Sequence, residues 1–77
     1  MKPILRVALP VPLDRLFDYA SNGVDAAPGS RVLVPFGRRD VVGIAIEHAD
    51  ETDLPADRLK PATRALDPAP LLDAELM

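Results

Sequence analysis

No cysteine occurs in the 77 residues, which excludes disulfides and thiolate metal sites, and the single histidine, His48, leaves a structural metal without a ligand set. Tryptophan is missing too. The aromatics are Phe17, Tyr19 and Phe36, and a small core needs them for itself. The glycines at 23, 29, 37 and 43 are scattered over separate turns and a strand. None builds a phosphate-cradling loop, so nucleotide binding of the P-loop or dinucleotide kind is not expected. No apolar run approaches the roughly 20 residues of a membrane span, and prolines at 3, 10 and 12 interrupt the start where a signal peptide needs a continuous apolar helix. The expectation is a cytoplasmic protein with no membrane contact. Ser21, Ser30, Thr52 and Thr63 sit in no nucleophile motif, and His48 reads as a solvated surface histidine in an acidic loop. No catalytic residue is assigned.

A chain this short is one domain or less and buries only about 60% of its unfolded surface. Its net charge of -3 argues against a broadly basic, phosphate-seeking surface. Any nucleic-acid contact must therefore be local.

The clearest organisation lies in Arg31–Glu47, RVLVPFGRRDVVGIAIE, read as a central hairpin. Alternation puts Val32 and Val34 on one face, and Val42, Ile44 and Ile46 repeat the pattern on the return run. Val41, Gly43 and Ala45 are slim enough to face a second layer or another backbone, and Gly43 suits a bulge. The connection from Pro35 to Asp40 looks too long for a two-residue turn, with Gly37 supplying positive φ and Arg38 and Arg39 at an exposed tip. Before it, Ile4–Leu9 alternates as a first strand, ended by Pro10 and Pro12, and Leu16–Ala20 is a short second one with Phe17 and Tyr19 on one face. Ser21-Asn22-Gly23 and Pro28-Gly29 are turns, the latter of type II. After Glu47 the chain turns acidic, with a helical turn expected over Pro55–Leu59 and a weaker strand over Leu59–Leu66, confined to an edge by Pro61.

Residues 71–77 look like a helix entry capped by Asp73 that stops after about one turn. The expected fold is mainly β: a small, partly open five-stranded β-barrel-like domain over 1–70, followed by the start of a truncated helix over 71–77.

The informative constellation is Leu16-Phe17-Asp18-Tyr19 together with Gly37, Arg38, Arg39 and Lys60. From residue type alone, Phe17 is core, Asp18 is open between a surface carboxylate and a site residue, Lys60 is an ordinary surface lysine, and the arginines keep a hairpin tip soluble. The order VALPVPLDRLFDY, PGSRVLVPFGRRDVVGIAIE and LKPATRALDPAPLL resembles the N-terminal domain of the primosomal replication-restart helicases, the PriA family. The resemblance covers essentially the whole chain. It implies a domain that binds the 3′ end of a nascent DNA strand at a stalled or repaired fork, with other primosome proteins as further partners. By position, Phe17, Asp18 and Tyr19 match the family's terminal-nucleotide pocket, Gly37 its facing loop and Lys60 its basic residue before the last strand. Arg38 and Arg39 are secondary candidates for duplex phosphates. The family's ATP and zinc sites belong to other domains, so no cofactor, metal or helicase activity is expected in this segment. A protein-interaction or structural barrel without a nucleic-acid role is the alternative.

Overall fold

The computed structural model describes residues 2–67, so the helix expected at 71–77 lies outside the described residues. Five strands, β1 (Ile4–Ala8), β2 (Phe17–Ala20), β3 (Arg31–Phe36), β4 (Arg39–Ala49) and β5 (Arg64–Ala65), form one antiparallel sheet in the order β2-β1-β4-β3-β5. A short 3-10 turn, Ala56–Arg58, follows Pro55 as expected. The sheet curls until its two edges touch at one point. There Ala20 N–H donates to the Lys60 carbonyl and Ala62 N–H to the Ala20 carbonyl, both at 2.9 Å, around a single bridge between Ala20 and Pro61. The ladder goes no further, and the barrel stays partly open.

Leu5, Val7, Val32, Val34 and Ala45 are fully buried, with Tyr19 and Ala62 nearly so. The Val24–Ala27 stretch, which carries no strand pattern, nonetheless sends Val24 and Ala26 into this core. The turns behave as their residues require. Gly29 has φ +90°, and Ser30 N–H closes its turn onto the Ala27 carbonyl at 3.0 Å.

Three expectations about the hairpin are corrected. First, Phe36 pairs with Arg39, so Gly37 and Arg38 form a two-residue turn. Gly37 has φ +67° while Arg38 is not in the positive region, the pattern of a type II′ turn. Pro35 is tolerated in the strand because β5 pairs only with Val32 and Leu33. A residue facing away from β4 beyond that point has no ladder bond to lose.

Second, β4 faces the other way. Val42, Ile44 and Ile46 are 44%, 38% and 39% exposed, while Gly43 and Ala45 are buried and Val41 packs against the core. The interior of so narrow a barrel has no room for a stripe of branched side chains there. Third, the irregularity is not at Gly43: Arg6 pairs with Glu47 but Val7 with Ala45, which leaves Ile46 as the extra residue. That shift turns both Ile46 and Glu47 outward and brings His48 inward. His48 is therefore not a solvated loop residue. It lies in β4, opposite Leu5, with Nε2 2.9 Å from the Ala26 carbonyl.

At the other edge, Arg31 anchors the end of β5. Its backbone N–H and its Nη2 each reach the Asp67 carboxylate at 2.7 Å, and its Nε does so at 3.0 Å. The Arg31 hydrogen bonds hold the Asp67 carboxyl below its ordinary 3.8. A carboxyl with a depressed folded pKa contributes stability that is present above the unfolded value and lost as pH falls through the lower, folded one. The stability difference between the native chain and Asp67→Asn should therefore be flat above pH 3.8 and shrink below it. Urea melts across that range check this, and a difference that grows on acidification would contradict it.

Candidate nucleic-acid interface

The unclosed seam of the barrel is where the singled-out residues gather. On one side is the outer edge of β2; on the other is the end of β3, which β5 is too short to cover. Ala20 turns both its N–H and its C=O toward the seam. By the period of two, Asp18 does the same, but among the described residues no strand takes its backbone groups. Tyr19 ties the two sides together: its hydroxyl donates to the Pro35 carbonyl at 2.8 Å, and burial raises its pKa. The residues after β4 fold over this gap. Between them lies an open cavity of about 440 Å³, formed by residues 15–19, 35–37 and 52–54 with Arg58 and Lys60. That is within the roughly 300–1,000 Å³ usual for ligand sites.

Asp18 is the hub of the polar wall. Its side chain is 16% exposed. Arg6 Nε donates to Oδ1 at 3.1 Å, and the Thr52 hydroxyl donates to Oδ2 at 2.5 Å. Arg6 also reaches Glu47 at 2.7 Å and the Glu51 carbonyl at 3.1 Å, so β1, β2, β4 and the following loop are joined through one guanidinium. Its bonds to Glu47 and then Asp18 push the Arg6 pKa still higher. With one donor on each oxygen, the Asp18 carboxylate keeps an acceptor site free on both.

The aromatic wall is Phe17 and Phe36, packed edge to face with centroids 5.5 Å apart, and the Arg15 guanidinium lies 4.7 Å over the Phe17 ring. Phe17 is thus half-buried and packed against the core, in line with its residue type. Lys60 reaches the cavity because its backbone carbonyl is pinned by Ala20 at the point where the edges touch. Among the described residues, the lining holds three cations, Arg15, Arg58 and Lys60, against two carboxylates, Asp18 and Asp53. With Asp18 already answered by Arg6, the balance at the cavity is cationic in a chain of net charge -3. The attraction is local, as the composition demands.

Phe17, Asp18, Tyr19, Gly37 and Lys60 therefore line one cavity, whereas Arg38 and Arg39 do not and stand exposed at the hairpin tip. Sequence reasoning missed Phe36, Arg15, Thr52 and Arg58. Phe36 had a signal, its position beside Gly37. Thr52 and Arg58 had none, since only the folding of residues 50–60 over the seam brings them there.

Residues 6–77 match the family model of the 3′ DNA-binding domain (3′BD) of PriA. The chain is 49% identical over 69 residues to the replication restart protein PriA of Haemophilus influenzae, covering 88% of this chain and 10% of that protein. It is 40% identical over 60 residues to the replication restart protein PriA of Treponema pallidum, covering 74% of this chain and 9% of that protein. The chain thus spans about a tenth of the length of these curated relatives. With a family match over residues 6–77 and a relative 49% identical over most of the chain, the chain belongs to the PriA 3′ DNA-binding domain family.

Proposed function

We propose that this domain captures the 3′-hydroxyl terminus of a DNA strand at a stalled or repaired replication fork, as one module of a replication-restart protein. The observation that carries the reading is the Asp18 carboxylate, held in the cavity wall with free acceptor capacity beside unpaired backbone of the β2 edge. A free 3′-hydroxyl donates to that carboxylate. A 3′-phosphate brings like charges together in a partly dry site. The Asp18 N–H and C=O and the backbone around Gly37 touch the terminal base without selecting its identity, and Lys60 serves a backbone phosphate. Specificity then lies at the sugar end. The segment acts without a cofactor in this role. ATP and zinc belong to other domains, and other primosome proteins are partners of the whole protein. That work on DNA is cytoplasmic, as a replication-restart role implies; among the described residues no helix is long and apolar enough to cross a membrane.

The test is competition. An oligonucleotide ending in a 3′-hydroxyl should displace a labelled strand at a concentration more than about tenfold lower than the same strand ending in a 3′-phosphate, the effect of one hydrogen bond to a charged acceptor. Equal competition would sink the reading. A second reading, a protein-interaction module, draws on the exposed stripe of Val42, Ile44 and Ile46. It expects no DNA association even at low ionic strength, where the proposed function expects the strongest.

A further inference from the structure

We propose that Thr52 is a positioning residue for 3′-end selection, an inference that rests on the 3′-end reading above. Its hydroxyl proton is committed to Asp18 Oδ2 at 2.5 Å, and the same oxygen accepts the Leu54 N–H at 3.2 Å. One bond given and one received fix the direction of that hydroxyl. Arg6 Nε occupies the other carboxylate oxygen at 3.1 Å. The two donors come from different elements, β1 and the loop after β4, and they grip the carboxylate like two fingers. Its rotation about the Cβ–Cγ bond is thereby arrested, and the unused acceptor site on each oxygen keeps one orientation. A strand-borne aspartate without the threonine still has the charge but not the orientation.

Thr52 touches Asp18, and its role is exerted through that side chain. Discrimination between two termini depends on where a lone pair points, since a hydrogen bond weakens steeply with misalignment whereas charge repulsion does not. Loss of the hydroxyl should therefore weaken capture of the 3′-hydroxyl strand while leaving the 3′-phosphate strand where it was. The neighbouring Glu51 carbonyl is held independently by Arg6 at 3.1 Å, so the loop has a second anchor when Thr52 is changed.

The experiment compares the native chain with Thr52→Val, Thr52→Ala and Thr52→Ser in the same competition between 3′-hydroxyl and 3′-phosphate oligonucleotides. The ratio of the two competitor concentrations is read within each protein sample. A partly unfolded variant binds both strands less in equal proportion, so a merely structural role leaves that ratio unmoved. The native ratio should exceed about tenfold. It should fall by about tenfold in Thr52→Val and Thr52→Ala, which lose the orienting bond but keep the Asp18 charge, and stay within about twofold of the native value in Thr52→Ser. A native ratio of unity overturns the 3′-end reading itself. A native preference retained in Thr52→Val and Thr52→Ala leaves that reading standing and overturns the role of Thr52. A loss in Thr52→Ser equal to that in Thr52→Val also overturns it, because the methyl group would then be the part that matters.

Discussion

Gly43→Val should lower the thermal midpoint of the domain by more than about 10 °C, or leave it unfolded at room temperature. Even a single Cβ at this position would stand 2.5 Å from Val7 Cγ1, 2.8 Å from Leu9 Cδ2 and 2.9 Å from the Ala8 carbonyl oxygen. Val7 is fully buried and β-branched, so its methyl has nowhere to turn, and the Ala8 carbonyl is backbone. Relief requires β1 and β4 to part, although these central strands are paired from Ile4–Ala49 to Ala8–Ile44. Forcing extra methyl groups into a packed interior costs about 1–3 kcal/mol, occasionally more. A domain this small has only about 3–10 kcal/mol in total. Gly43 does not have positive φ, so the effect is steric and not a matter of backbone strain. Far-ultraviolet circular dichroism on heating reads the outcome. A midpoint unchanged from the native chain would mean that the barrel has slack where β1 crosses β4.

The turns and the first strand were legible because their signals are local. Proline fixes φ, glycine permits its positive range, and Leu5 and Val7 have no competitor for the inner face of β1. The facing of β4 was not, because both of its alternating sets are apolar: Val42, Ile44 and Ile46 on one side, Val41, Gly43 and Ala45 on the other. Hydrophobicity favours the larger set, but the radius of the barrel admits only the smaller. No residue type announces the extra residue at Ile46 either, and the fate of Glu47 and His48 hangs on it. Likewise the turn at Gly37-Arg38 was obscured by Pro35, a poor strand residue that is harmless where its neighbour strand has ended. The site divides in the same way. Phe17, Asp18, Tyr19, Gly37 and Lys60 were singled out through a resemblance covering the whole chain. Their convergence depends on a seam that residue type cannot reveal. Thr52, distant from Asp18 in sequence, becomes its hydrogen-bond partner only because β4 delivers the following loop across that seam.

Asp18→Ala should remove the preference for a 3′-hydroxyl over a 3′-phosphate end, bringing the two competitors to within about twofold of each other. Two separate losses drive the ratio the same way. The hydroxyl strand forfeits a hydrogen bond to a charged acceptor, worth about 1.5–3 kcal/mol. The phosphate strand is released from a repulsion of at most about 3 kcal/mol, the figure for unit charges roughly 5–6 Å apart at an effective dielectric near 20, which the Arg6 guanidinium reduces. The hydroxyl strand should thus bind more weakly than to the native chain, and the phosphate strand more tightly. That opposite movement is the signature, since general damage to the domain would weaken both. The fold should survive the change. Arg6 keeps Glu47 and the Glu51 carbonyl, and Tyr19 still bridges the seam to Pro35. Asp18→Asn tests the charge alone: it retains an acceptor oxygen but places an amide donor where Arg6 Nε or the Thr52 hydroxyl already donates, and so it should relieve the phosphate strand without fully restoring the hydroxyl one. If both variants keep the native ratio, the acid group is not what reads the terminus. Nor could the cationic side of the cavity then supply the preference, since Arg58 and Lys60 favour the phosphate end.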